Sequence, residues 1–121
     1  RRMGYVHRRL LMVSGDGREV RGEDMLTPAE RRRRPVRQPV QLRFHLAPGV
    51  EPTLTADSQA AVLRIDHGAL WQFRTGAGVL SVEDSLWVDG YGHPHPTRQL
   101  VVTGEALPGG SSIGWLFKRV G

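Results

Sequence analysis

At 121 residues, with a net charge of +5 and no cysteine, the chain is long enough for one domain with a real core and too short for two. It has no run of about 18 apolar residues and no signal-peptide succession, so neither a membrane span nor a leader is visible, and disulfides and thiolate metal sites are excluded. Lys118 is the only lysine. A GC-rich coding sequence explains the arginine excess as readily as binding does. In a binding role, arginine favours bidentate contact with carboxylate, sulfate or phosphate, hence an anionic polysaccharide or a nucleic acid.

In chain order, residues 4–24 read as two strands joined by a tight turn. Side-chain alternation places Tyr5, His7, Arg9, Leu11 and Val13 on one side and Val6, Arg8, Leu10 and Met12 on the other. Ser14-Gly15-Asp16-Gly17 supplies the turn, Glu19 to Arg21 returns as a strand, and the hairpin is expected to end at Gly22-Glu23-Asp24. From Met25 to Pro39, prolines and consecutive charges predict a loop in which Arg31 to Arg34 form a solvated run. Val40, Leu42, Phe44 and Leu46 then alternate with Gln41, Arg43 and His45, the clearest half-buried strand in the chain, with His45 pointing away from the apolar side.

Short strands are expected at Val50 to Ala56, Ala61 to Ile65, Leu70 to Thr75, Val79 to Val82 and Ser85 to Val88. Asp89 to Pro96 breaks the pattern with two glycines, two prolines, Tyr91, His93 and His95, a composition suited to a rim loop. Arg98 to Ala106 and Ser112 to Val120 complete the chain. With no helical period and turn signals at intervals of roughly 8 to 12 residues, the pattern predicts an all-β fold, an antiparallel β-sandwich or barrel of about ten short strands in one domain. A chain that opens on Arg1-Arg2 and enters a strand almost at once also reads as the end of something longer.

Two constellations raise the question of a metal. His93-x-His95 has the spacing of paired zinc ligands, but Pro94 and Pro96 make the segment a stiff loop in which histidine is common without metal. His7, Asp24 and His45 form a stronger set if all three lie on the polar side of adjacent strands. The competing and favoured reading is a hydrogen-bonded cluster in which Asp24 orients a histidine or pairs with Arg8, Arg9 or Arg43. Neither a nucleophile elbow nor a phosphate-binding loop is present.

Several motifs in succession resemble the C-terminal part of the bacterial heparinase II/III-like proteins, a polysaccharide lyase family. They are His7-Arg8-Arg9-Leu10, the Ser-Gly-Asp-Gly turn, Gly22-Glu23-Asp24, Arg43 to Gly49, Trp71-Gln72-Phe73-Arg74, Val82 to Trp87, Arg98 to Gly104, and Trp115 to Arg119. The resemblance implies an upstream α/α-toroid followed by antiparallel sandwich, of which this chain is the last portion. It also implies, for the full-length protein, β-elimination on uronic-acid-containing polysaccharides and a periplasmic or cell-envelope location. In such a reaction a base removes the proton beside the carboxylate and an acid protonates the leaving oxygen. Those catalytic groups belong to the toroid, and the ligands of zinc-containing members belong to an earlier sandwich segment. No catalytic residue, metal ligand or cofactor is therefore carried over onto this chain.

Ala47 stands where related sequences often have a second histidine after Phe-His-Leu. The residues left as a polar or substrate-side cluster are His7, Arg8, Arg9, Asp24, Arg43 and His45. The expected partners are the toroid and an anionic polysaccharide, with nucleic acid disfavoured. The alternative is a stand-alone basic β-sandwich module that holds an anionic glycan or nucleic acid.

Overall fold

The computed structural model describes residues 5–28, 38–65, 68–106 and 110–120. The arginine run at Arg31 to Arg34 lies outside the described residues. Nine strands follow one another: β1 (Tyr5–Val13), β2 (Glu19–Pro28), β3 (Gln38–His45), β4 (Glu51–Leu54), β5 (Ala60–Arg64), β6 (Leu70–Thr75), β7 (Val79–Val88), β8 (Pro94–Ala106) and β9 (Ser111–Arg119). They form a six-stranded sheet in the order β1-β2-β9-β6-β5-β4 and a three-stranded sheet in the order β3-β8-β7. Every pairing is antiparallel. The chain is thus all-β and its two sheets face each other as a sandwich, as the alternation predicts.

The core is made where the inward rows of the two sheets meet. Leu42, Phe44, Leu80, Leu100 and Val102 come from the smaller sheet, and Ala61, Leu63, Phe73, Ile113 and Trp115 from the larger. Phe44 is the hub: its ring centroid lies 5.0 Å from Phe73 and 4.9 Å from Trp115, the latter nearly edge-on at 71°. Such tilted and edge-on contacts suit the ring quadrupoles, and each fully buried aromatic contributes about 3 kcal/mol of burial. This cluster ties β9, which arrives last in sequence, between β2 and β6.

Three expected boundaries move. The β2 strand does not stop at Gly22-Glu23-Asp24 but runs to Pro28, so Met25 to Pro28 is strand and not loop. Asp24 and Leu26 both face inward along it and are buried, which the polar look of Gly-Glu-Asp conceals. Second, Val79 to Val82 and Ser85 to Val88 are one strand, continuous through Glu83 and Asp84, which lie opposite Gln99 and Arg98. The count is therefore nine among the described residues. Third, β8 begins at Pro94, so only the first part of the Asp89 to Pro96 break is a loop. Pro94 and Pro96 pair with Val88 and Leu86 on β7, in a stretch that β3 does not reach, and prolines are tolerated in such one-sided pairing.

Two of the hairpin turns share one device. Ser14 Oγ donates to Asp16 Oδ1 at 2.7 Å, and the same oxygen accepts the Arg18 N–H at 3.0 Å. Thr55 Oγ1 and the Gln59 N–H bind Asp57 Oδ1 in the same way, at 2.6 and 3.0 Å. An aspartate that bonds its own backbone two residues on fixes a tight turn without help from the core.

Candidate functional site

The polar residues singled out from sequence divide between two places. The first is inside the sandwich. Arg9 and Asp24 are cross-strand partners on β1 and β2, and alternation turns both inward. Asp24 is completely buried, and Arg9 closes on it as a fork, Nε to Oδ1 at 2.6 Å and Nη2 to Oδ2 at 2.8 Å. Beyond the carboxylate, the Arg9 guanidinium carbon stands 4.8 Å from the Phe44 ring centroid and 5.4 Å from that of Trp115. Planar, weakly hydrated arginine suits this seat, and lysine would make neither the fork nor the stack. The hydrogen bond to Asp24 holds the Arg9 pKa above its ordinary value, with burial acting against it and Asp24's charge adding to it. His7 approaches the same carboxylate from the rim, with Nε2 3.6 Å from Oδ2.

The second place is the outer face of the three-stranded sheet. Arg43 and His45 alternate outward from Leu42 and Phe44, so they lie on the far side of β3 from Asp24. Arg43 bonds Glu83 Oε1 at 3.0 Å and Gln41 Oε1 at 2.7 Å, and His45 Nδ1 meets Ser85 Oγ at 3.2 Å. The structure therefore brings His7, Arg9 and Asp24 together but leaves His45 and Arg43 apart from them. A shared zinc site for His7, Asp24 and His45 is corrected on this ground: Asp24 faces inward, its oxygens taken by Arg9, and β3 belongs to the other sheet. Arg8 is solvent-exposed, on the opposite side of β1 from Arg9, and joins neither group. Among the described residues no three His, Asp or Glu side chains are arranged to hold a metal ion.

Sequence reasoning missed the group around Asp89. This aspartate accepts the N–H of Tyr91 at 2.8 Å and of His93 at 2.9 Å while its other oxygen lies 2.9 Å from His95 Nε2. Its pKa is lowered, first by His95 and then by the backbone bonds, with burial opposing. His95, in strand and not loop, also lies against Trp87, the rings 5.6 Å apart. The signal was legible as Asp89-Gly90, a turn-forming pair four residues before a histidine, but the His-x-His spacing drew attention to metal instead. Beside this ribbon, a cavity of about 680 Å³ opens between the turn after β3 and the paired strands β7 and β8. Pro48, Val50, Leu86 and Pro96 give it apolar walls, and Glu51, Asp84 and Arg98 give it charge.

The family described as "Heparinase II/III-like, C-terminal" matches residues 1–116. The chain is also similar to "FtsZ-localized protein C" of Caulobacter vibrioides (strain NA1000 / CB15N), at 29% identity over 127 residues. That alignment covers 98% of this chain and 22% of the relative, so the chain spans about a fifth of the length of the curated relative it matches. No solved structure is a significant match.

Proposed function

Since the chain belongs to the heparinase II/III-like C-terminal family, we propose that it is the noncatalytic sandwich of a longer protein, supporting an upstream toroid and flanking its cleft. The observation that supports this reading is how the ionisable side chains are used. Asp24 is enclosed by Arg9, Glu83 is paired with Arg43, and Asp89 serves a turn and His95. A general base must reach a substrate proton, and a carboxylate held in a fork inside a core cannot. In this reading β-elimination of a uronic-acid polysaccharide takes place in the upstream part, in the periplasm or cell envelope. The outward Arg43 and His45 of β3 would lie toward the anionic chain.

The test is formation of unsaturated uronate, followed by ultraviolet absorbance on heparan sulfate, alginate and related uronides. The full gene product is expected to turn one of them over, and the 121-residue chain alone to turn over none. Turnover by the chain alone sinks the proposal.

The similarity to FtsZ-localized protein C favours a second reading, in which the sandwich serves localisation and not polysaccharide cleavage. A fluorescent fusion of the full-length protein separates the two. Coincidence with FtsZ at the division site, together with no uronide turnover, selects the second reading. An envelope distribution with turnover selects the first.

A further inference from the structure

The most conspicuous unpartnered surface is the second half of β1. Leu10, Leu11, Met12 and Val13 are 51%, 62%, 71% and 64% exposed, four consecutive large apolar side chains in water. Alternation sends Leu10 and Met12 to the outer face of the six-stranded sheet and Leu11 and Val13 to the inner face. The inner pair is bare although it points the same way as Arg9. Both faces of the strand are thus apolar over the same four residues. Among the described residues the strand is also an edge, bonded to β2 and to no other strand, so alternate backbone groups on its far side face away from the sheet. Folded proteins protect such edges with lysine, proline, a bulge or an inward charge. None of these occurs between Leu10 and Val13, where the pairing with β2 runs without interruption to Val20.

We infer that this half of β1 is the docking surface for the part of the same polypeptide that precedes Arg1. The inference rests on the reading of the chain as the C-terminal part of a longer protein. Three observations select that occupant. The matching family is a C-terminal one, and more than three quarters of the relative lies outside its alignment with this chain. The strand that carries the bare residues is also the strand by which the chain enters the sandwich. Nine strand residues span roughly 30 Å, so a preceding domain is tethered within its own diameter of the whole patch, at high effective concentration. Finally, Arg8 and Arg18 are exposed on either side of the apolar residues. The complementary surface is therefore an apolar ledge bordered by carboxylates, laid along the β1 edge and taking up its free backbone groups.

The inference is tested in the full-length protein with a photo-crosslinking amino acid in place of Met12, and by hydrogen exchange of the β1 amides. Cross-links from position 12 to upstream residues are expected, with slow exchange across residues 10–13. Met12→Lys should speed that exchange by about tenfold or more, since its side chain is largely exposed in the sandwich itself. Leu54→Lys, at another exposed site, should leave it unchanged. Cross-links to a second copy, with a dimer that Met12→Lys dissociates, overturn the inference in favour of self-association. Free exchange at 10–13 while cross-links from Arg43 or His45 reach upstream residues overturns it but leaves the longer-protein reading standing. If no position of the sandwich cross-links to upstream residues, the inference and the reading of a joint assembly fall together.

Discussion

Gly22 on β2 stands opposite Trp115 on β9, and the indole ring fills the space that a Cβ at position 22 would need. The glycine is therefore part of the core although it contributes no side chain. Trp115 in turn packs edge-on against Phe44 and lies under the Arg9 guanidinium, so moving the ring disturbs the aromatic hub and the buried ion pair together. Gly22→Ala is expected to cost about 3 kcal/mol, the upper part of the usual overpacking range, because a ring must shift and not a flexible chain. The measurement is the urea midpoint at unchanged slope, accompanied by a red shift of tryptophan emission.

Removal of Asp24 should cost about as much for a different reason. Asp24→Ala leaves Arg9 charged and unpaired between two aromatic faces, and breaking a buried pair typically costs 3–5 kcal/mol. The Arg9 side chain is 35% exposed, so water recovers part of this and about 2–3 kcal/mol is expected. The double variant Arg9→Met, Asp24→Leu should be more stable than Asp24→Ala alone, because the stranded charge is gone. Zinc content measured on the same samples should not change with Asp24→Ala. Loss of stoichiometric zinc would return Asp24 to the role of a ligand.

Three aspartates make the turns sensitive to acid. Asp16 is lowered first by Ser14 and Asp57 first by Thr55, each then by a backbone N–H, while Asp89 is lowered first by His95. A carboxylate whose folded pKa is depressed binds its proton less readily folded than unfolded. Its contribution is therefore present above the unfolded value near 3.8 and is lost as pH falls through the folded one. Carboxyl-carbon NMR should show all three titrating below that value, with the hairpin amides Arg18, Gln59 and Tyr91 shifting in step. Titration of Asp89 at an ordinary pH would break the link to His95.

The alternation of apolar and polar residues made most of this fold readable, because a half-buried strand such as Val40 to Leu46 sorts its own faces. It failed where a polar residue points inward. Asp24 looked like the end of a hairpin, since the turn can set Arg9 across from it but nothing local shows that the pair faces inward with Phe44 beyond. The hairpin turn sets the pairing of Arg9 with Asp24, but its burial depends on β9 and on the opposite sheet, which are remote in sequence. The split between Arg9 with Asp24 and Arg43 with His45 was hidden for the same reason, as alternation gives a side within one strand but not which sheet the strand joins. Proline misled at Pro94 and Pro96, where a one-sided ribbon tolerates what a central strand would not.

The outer face of the small sheet contains one misfit that allows a stabilising change. Gln99 is 8% exposed, and its Oε1 is buried with no hydrogen-bond partner among the described residues, while its Nε2 reaches Glu83 Oε1 only at 3.5 Å. A buried acceptor left unmade costs about 1–3 kcal/mol, more than one long hydrogen bond returns. Gln99→Met keeps the length and flexibility of the side chain and removes both polar atoms, and Glu83 keeps its bond to Arg43 at 3.0 Å. A gain of about 0.5–1 kcal/mol is expected in the urea midpoint. Gln99→Glu supplies the contrast, since it sets a second carboxylate beside Glu83. Repulsion and burial should raise the new group's pKa, so the variant should be less stable than the parent at neutral pH and recover as acid protonates it. If Gln99→Met is instead destabilising, the amide is satisfied in solution, and a bridging water between Gln99 and His45 becomes the account to test by hydrogen exchange along β8.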